Sequence, residues 1–334
     1  MEMKSEPSPE IAVEVSSLLK ISKDGSVERL VGTATVPPGP SADGLVVSKD
    51  VTLDSNTGLF VRLYKPLCVE KGTQGQGPKI PVVVYIHGGG FCIETAVSPL
   101  YHSYLNLLAN ECKVLCVSVN YRRAPEHRLP TAYDDCFSVL EWIDAHGGAE
   151  AGEGLDPWIE SHADLGKCFV AGDSAGGNIV HQTGMKASGK NWRHLHLEGA
   201  IVIHPFFSGE EAIACERADV AEAQGIVKMS DEIWKIALPD GADKDHPFCN
   251  PDGPRSPSLA TLPYCRIIVF VAEKDFLKDR GVMYYEALKK AGKDVELVVA
   301  QSEGHVFHLI NPQSENAVTM LNQIYNFIHS SLSL

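Results

Sequence analysis

The sequence predicts an α/β fold in which helices flank both faces of a mostly parallel central sheet. Three observations lead to this prediction. Apolar runs without polar alternation recur along the 334-residue chain, segments with helical spacing follow them, and Gly- or Pro-containing turns separate the two. Strands that are apolar on both faces and alternate with helices are typical of parallel sheets covered on two sides.

The amino-terminal segment does not share this alternation. An Asp24–Gly25 turn between short apolar stretches predicts a small hairpin within residues 15–30. A Pro- and Gly-rich linker follows at 35–44, so residues 1–44 are predicted to form an arm ahead of the core. The first strand of the core is then predicted at 59–66, where polar and apolar residues alternate.

From residue 80 onward, predicted strands alternate with predicted helices. The predicted strands are 80–90, 113–122, 167–174, 198–207, 266–275 and 295–301. The predicted helices are 98–111, 130–147, 175–187, 279–292 and 314–332. An insertion at about 208–258 interrupts the rhythm, and its length is typical of a lid or cap over a site. We therefore expect one domain over residues 1–334, with cap elements at about 1–44 and 208–258.

Composition excludes several classes of partner. With 29 Lys and Arg against 43 Asp and Glu, the net charge is −14, which disfavours nucleic acid and anionic membranes. No apolar run reaches the roughly 18 residues of a membrane span, and the first residues lack a signal-peptide pattern. The nine scattered cysteines include no CxxC pair and indicate free thiols in the cytoplasm. We expect neither a metal ion nor a cofactor.

The stretch CFVAGDSAGG (168–177) joins a predicted strand to a predicted helix. It contains a G-x-S-x-G pattern made by Gly172, Ser174 and Gly176. A serine in a strained strand-to-helix elbow projects its hydroxyl over the sheet edge, and the flanking glycines leave room for that backbone. An ordinary tight turn would also explain the glycines alone, but the preceding buried strand favours a nucleophile.

A nucleophilic serine needs a base and a group that orients the base. In this architecture the order along the chain is serine, acid, histidine. Asp275 ends one predicted strand and His305 follows another, so both are expected on the Ser174 side of the sheet. Asp279 is a weaker candidate because it suits a helix cap. His308 lies farther past its strand, which favours a local hydrogen-bonded role, with a supporting role in the site left open.

The stretch HGGGF (87–91) ends another predicted strand. Attack on an ester carbonyl creates an oxyanion, which requires positioned backbone donors. We predict that the amides of Gly88, Gly89 and Ala175 supply them, and that His87 anchors the loop. A phosphate cradle is the alternative for such a glycine run, but neither a P-loop nor a GxGxxG pattern is present.

Six motifs together resemble the plant carboxylesterase family, in the hormone-sensitive-lipase group of α/β hydrolases. They are HGGGF (87–91), NYRRAPEHRLPTAYDD (120–135), GDSAGGNI (172–179), DHPFCNP (245–251), EKDFLKDR (273–280) and GHVFH (304–308). The resemblance covers nearly the whole chain and implies an α/β-hydrolase fold, a small-molecule ester substrate, the triad Ser174, Asp275 and His305, and the same oxyanion donors. Arg123 departs from the family pattern, which has leucine there. It could alter substrate preference or face solvent.

Relatives of this group have other functions. Gibberellin receptors are similar in fold but lack the catalytic histidine, whereas His305 is present here. Some relatives are dehydratases or alkaloid-cyclising enzymes with an altered nucleophile or triad. The sequence therefore predicts a serine carboxylesterase, with a dehydratase, a cyclase or a hormone-receptor-like binding protein as alternatives.

Overall fold

The computed structural model describes residues 10–70, 79–148, 156–217 and 221–330. Residues 1–9 of the predicted arm and 218–220 of the predicted insertion lie outside these ranges.

Eight strands form the central sheet, in the spatial order β11-β10-β9-β8-β6-β7-β5-β4. Neighbouring strands run parallel from β11 to β7, whereas β5 pairs antiparallel with both β7 and β4. The strands are β4 (Val46–Asp54), β5 (Leu59–Pro66), β6 (Ile80–Ile86), β7 (Leu115–Asn120), β8 (Ala163–Asp173), β9 (Leu197–Ile203), β10 (Arg266–Ala272) and β11 (Val295–Ala300).

The helices connect these strands across both faces of the sheet. They are α1 (Pro99–Cys112), α2 (Thr131–Ala145), α3 (Pro157–His162), α4 (Ala175–Ala187), α5 (Ala221–Ala237), α6 (Lys278–Lys290), α7 (Phe307–Ile310) and α8 (Glu315–His329). Side-chain caps define some of the helix starts. The Asp156 carboxylate accepts a hydrogen bond from the Trp158 amide, and the Ser314 hydroxyl accepts one from Ala317.

Apolar side chains on the two faces of the sheet build two separate cores. Along β6, Val82, Val84 and Ile86 belong to one core, and Val83 and Tyr85 belong to the other. This alternation explains why the strand is apolar throughout, since side chains point to opposite faces and both faces are covered. The architecture confirms the predicted α/β fold with a mostly parallel sheet.

The amino-terminal arm forms a small antiparallel sheet of β1 (Ile11–Val15), β2 (Leu19–Ser22) and β3 (Val27–Arg29). The predicted hairpin within 15–30 corresponds to β2 and β3. Arg29 fastens this sheet to the core, because its guanidinium donates to the carbonyls of Cys92 and Ala124 and pairs with Glu126. Strands β1 and β4 and helix α3 were not expected from the sequence.

Candidate active site

Ser174 lies between the last residue of β8 and the first residue of α4, at φ 54° and ψ −120°. A positive φ is unusual for a residue with a side chain and marks a strained turn. Added side chains at the flanking glycines would overlap backbone: a Cβ on Gly172 would lie 2.7 Å from the Ile86 carbonyl oxygen, and one on Gly176 would meet the same oxygen. The glycines are thus required by close backbone approach at the elbow.

Asp275 and His305 are brought together at the carboxyl ends of β10 and β11. The Nδ1–H of His305 donates to Oδ2 of Asp275 over 2.7 Å, and the other carboxylate oxygen accepts from the Leu277 amide over 2.9 Å. This bond leaves Nε2 of His305 unprotonated in the neutral imidazole, so that nitrogen is able to accept a proton. Asp279 lies in the first turn of α6 and does not cap it.

The pairing sets the charge state of both groups. Burial disfavours the Asp275 carboxylate, but the hydrogen bond and charge of His305 outweigh it and lower the pKa of Asp275 overall. Burial likewise disfavours the imidazolium of His305, but the hydrogen bond and charge of Asp275 outweigh it and raise the pKa of His305 above 6.5. The carboxylate therefore stabilises a proton on the histidine.

Ser174, Asp275 and His305 line one cavity of about 410 Å³. Its walls are mainly apolar and come from the arm, the loop after β6 with α1, the segment after β9 with α5, and the segments after β10 and β11. The apolar lining residues include Leu18, Phe206, Ile226, Met229, Ile233 and Leu309. An apolar cavity with a few convergent polar groups is the usual form of a small-molecule site.

The structure disagrees with the prediction that the Gly88 amide is an oxyanion donor. That amide donates to the Tyr101 hydroxyl over 2.7 Å, so it is already used within the protein. Gly89 and Gly90 line the cavity instead, with φ of 93° and 58°. Ala175 is the first residue of α4, so its amide has no carbonyl partner within the helix.

The sequence does not predict Asp173, which precedes Ser174, as a site residue. Its buried carboxylate accepts from the hydroxyls of Tyr85 and Tyr101, each over 2.9 Å. Burial raises the pKa of Asp173 to about 6, although both hydroxyls oppose that shift. Because Tyr101 also accepts from Gly88, one chain of hydrogen bonds joins the glycine loop to the elbow. No sequence pattern indicates Tyr101, which lies 13 positions after Gly88.

Two further histidines are buried beside the pair. The Val306 amide donates to Nδ1 of His204 over 3.0 Å, and that nitrogen lies 3.9 Å from Oδ2 of Asp275. His308 is buried edge-on against Tyr104, with ring centroids 5.0 Å apart, and neither of its ring nitrogens has a hydrogen-bond partner among the described residues. The expected hydrogen-bonded role of His308 is therefore wrong. Burial lowers its pKa to about 3.

Arg123, whose role the sequence leaves open, is half-buried behind the cavity loop. Its guanidinium donates to the Glu94 carbonyl over 2.7 Å, and Glu94 follows the glycine loop. The residues lining the Ser174 cavity do not include Arg123. The side chain thus braces the loop from behind. His87 is buried and stacked on Tyr121 with ring centroids 4.2 Å apart, which anchors the start of the same loop.

Comparison with known proteins defines the class. The model of the alpha/beta hydrolase fold matches residues 83–309, and that of the Carboxylesterase family matches residues 32–125. An esterase from Pyrobaculum calidifontis has a similar structure, with a TM-score of 0.68 and 25% identity over 85% of this chain and 84% of the other. The fold and the elbow are those of an α/β hydrolase.

Relatives of known sequence narrow the class to a family. "Probable carboxylesterase 13" of Arabidopsis thaliana is 40% identical, over 96% of this chain and 98% of the relative. "Tuliposide A-converting enzyme 1, chloroplastic" of Tulipa gesneriana is 42% identical, over 96% of this chain and 78% of the relative. The chain belongs to the plant carboxylesterase family. Within the described ranges, no helix has the length and apolar character needed to cross a membrane.

Proposed function

We propose that this protein is a serine carboxylesterase that hydrolyses a small-molecule ester through an acyl-enzyme at Ser174. The observation that carries the proposal is the His305–Asp275 hydrogen bond at a cavity that the strained Ser174 also lines. Membership of a carboxylesterase family supports ester hydrolysis as the reaction. We propose Ser174 as the nucleophile, His305 as the base and Asp275 as the group that orients the base.

The proposed reaction has two halves. Oγ of Ser174 attacks the ester carbonyl carbon while Nε2 of His305 takes the hydroxyl proton, and the carbonyl π electrons move onto oxygen. Collapse of this intermediate breaks the ester C–O bond, and the imidazolium protonates the leaving alcohol. Water, deprotonated by the same imidazole, then attacks the acyl-enzyme. The acid leaves, and the proton returns to Ser174.

We propose that the amides of Gly89, Gly90 and Ala175 hold the oxyanion. Gly89 and Gly90 line the cavity, whereas Gly88 is committed to Tyr101. The amide of Ala175 lies at the start of α4, where the helix dipole also favours negative charge. Each such donor lowers the barrier by about 3 to 4 kcal/mol.

The arm and the insertion are proposed to cap the cavity within one domain, as residues of about 1–44 and 208–258. Leu18 from the arm and Met229 from α5 both line the cavity. The two elements are joined directly, since the amide and the hydroxyl of Ser16 donate to one carboxylate oxygen of Glu232 over 3.0 and 2.9 Å. Side chains of the cap would then select the acyl or alcohol part of the ester.

Compartment and partners belong to the proposal as well. We propose a cytoplasmic enzyme without nucleic-acid or membrane partners, on the strength of its net charge of −14 and its nine cysteines, none of which is in a disulfide. The Tulipa relatives are named as chloroplastic or amyloplastic. Imaging of a carboxyl-terminal fluorescent fusion in leaf cells tests the compartment, and plastid import would overturn this part.

The central experiment is turnover of short-chain p-nitrophenyl esters by wild type, Ser174→Ala and Ser188→Ala. Ser188 follows the same helix and does not line the cavity, so its variant should retain wild-type rates. Ser174→Ala should lose kcat by at least about 10⁴-fold, since nucleophile and base act as a unit. An organophosphonate should label wild type once, at Ser174. Full activity in Ser174→Ala would refute the mechanism.

The Tulipa relatives favour a second candidate, which is conversion of tuliposide A. A kcat/KM for tuliposide A well above that for simple aryl esters would support it. Product analysis in ¹⁸O-water separates the remaining alternatives. Hydrolysis places one ¹⁸O in the acid, whereas elimination or cyclisation places none. Ligand binding without turnover would indicate a receptor-like protein.

A further inference from the structure

A cluster of metal-ligating side chains lies at the opposite end of the sheet from Ser174. His196 precedes β9, Glu198 is its second residue, and Cys265 precedes β10. Strands β9 and β10 are parallel neighbours in which Gly199 pairs with Arg266, so Cys265 lies beside Glu198. The chain bends at His196, whose carbonyl accepts from the Glu198 amide over 3.1 Å, and the three side chains come together there.

The distances within the cluster match those of a tetrahedral zinc centre. Nε2 of His196 lies 3.5 Å from Sγ of Cys265 and 3.3 Å from Oε2 of Glu198. Usual Zn–N, Zn–S and Zn–O bond lengths at tetrahedral angles place N and S about 3.5 Å apart and N and O about 3.4 Å apart. All three ligand atoms lie within 4.8 Å of one another. One ion could reach all three without movement of the backbone.

Backbone hydrogen bonds tie His196 to β8. The His196 amide donates to Leu165 over 2.8 Å, and its carbonyl accepts from Cys168 over 3.1 Å. The guanidinium of Arg266 lies 3.3 Å from Oε1 of Glu198, which leaves Oε2 turned toward His196. The side chain of His196 is 56% exposed, so an ion can enter from solvent. Fixed ligands with an open approach reduce the entropy lost on binding.

We propose that His196, Glu198 and Cys265 form a zinc-binding site, with water as the fourth ligand. Imidazole nitrogen, thiolate sulfur and carboxylate oxygen are the donors that Zn²⁺ takes in proteins. Zinc binds cysteine as the thiolate, so the Cys265 thiol would release its proton to solvent when the metal binds. One chain would bind one ion and release one proton from this thiol.

The proposed role is structural. Glu198 and Ile203 are five residues apart on β9, or about 16 Å, and the Ile203 carbonyl accepts from the Ser174 amide. The ion would thus lie far from the reacting atoms. It would join β9 to β10 at the end of the sheet opposite the cavity. Because the ion would bind only the folded state, it would raise the melting temperature.

The test titrates Zn²⁺ into chelator-treated full-length protein by calorimetry, and Co²⁺ by absorbance. Wild type should bind one ion and show thiolate-to-cobalt charge transfer. Cys265→Ser and His196→Ala each remove a proposed ligand and should weaken zinc binding by more than about 100-fold. Loss of a group that only orients a ligand already costs about 10- to 100-fold in metal affinity. Cys68→Ser removes an exposed cysteine elsewhere and should behave as wild type.

Three results would overturn the proposal. The first is wild-type protein that binds no zinc, and the second is a cobalt–thiolate band that persists in Cys265→Ser. The third is a single bound ion that inhibits turnover and survives Cys265→Ser, because it would occupy the group of His204, Asp275 and His305 at the cavity. Circular dichroism of each variant checks that the fold is intact.

Discussion

The elbow and the cap helix α5 meet at the same cavity, but different forces hold them. Backbone bonds fix the elbow: the Ser174 amide donates to Ile203, and its carbonyl accepts from Phe206, both over 2.9 Å. Side chains hold most of α5, through Glu232 to the arm and through Trp234 stacked on Phe206 with ring centroids 4.8 Å apart, and one backbone bond from the Leu129 amide reaches its last residue. Backbone hydrogen bonds thus hold the proposed nucleophile, whereas side-chain contacts, which substitutions alter more easily, hold most of the cavity wall that is proposed to select the substrate.

This contrast implies that changes at the elbow side alter kcat or folding, whereas changes in α5 alter substrate choice. The largest expected effect is in the rate. Asp275→Asn should lower kcat by about 10⁴-fold, because an amide at this position favours the wrong tautomer of His305 and does not stabilise its charge. Steady-state kinetics on a p-nitrophenyl ester would measure this effect. A decrease of less than tenfold would contradict the assigned role.

The same pair determines the pH profile. Since Asp275 raises the pKa of His305 above 6.5, wild-type kcat/KM should fall with decreasing pH at a midpoint above 6.5, where the base becomes protonated. In Asp275→Asn the midpoint of this acid limb should move to lower pH, because burial of the imidazolium is then opposed only by the weaker effect of the Asp173 charge. A midpoint that the substitution leaves unchanged would assign the limb to another group.

Glycine-to-alanine substitutions compare the two regions directly through stability. Gly176→Ala should cost about 4 kcal/mol or more of unfolding free energy, because its Cβ would overlap the Ile86 carbonyl. Gly225→Ala in α5 meets no atom within 4 Å and should stabilise by about 0.5 to 1 kcal/mol through helix propensity. Denaturant unfolding would measure both changes in unfolding free energy. Equal changes would contradict the proposed difference between the elbow and α5.

A smaller effect is expected from the hydrogen-bond chain between loop and elbow. Tyr101→Phe leaves the Gly88 amide without its acceptor and should lower kcat about tenfold, a barrier change of about 1.4 kcal/mol. Tyr85→Phe removes the other donor to Asp173 but does not touch Gly88. It should cost similar stability with a smaller loss of kcat. Equal kcat values in the two variants would show that the glycine loop is positioned without Tyr101.

An effect of similar size, confined to KM, is expected in the cap. Met229→Ala enlarges the cavity and should raise KM for a long-chain acyl ester by about tenfold, the scale of a few lost apolar contacts, with kcat for an acetyl ester unchanged. Val227→Ala lies on the same helix and lines a different cavity, so its kinetics should match wild type. Reduced kcat on both esters in Met229→Ala would mean that α5 positions the reacting groups.

Local signals allowed accurate prediction of the repeating elements. The expected strand at 59–66 and helix at 175–187 coincide with β5 and α4. Apolar runs, turn glycines and the G-x-S-x-G pattern act within a few residues, so they are readable from the chain. Strand β4 (Val46–Asp54) was not predicted, because Lys49 and Asp50 interrupt its apolar residues and weaken the strand pattern.

The sequence by itself determined the α/β class, the family and the residues proposed as nucleophile, acid and base, because order along the chain and strand ends identify them. Only the tertiary structure decided which amides remain free, since the Gly88 amide is taken by Tyr101 from another element. It also decided that His308 is buried without a hydrogen-bond partner among the described residues. Both outcomes depend on contacts between distant segments, and such contacts leave no periodic trace in sequence.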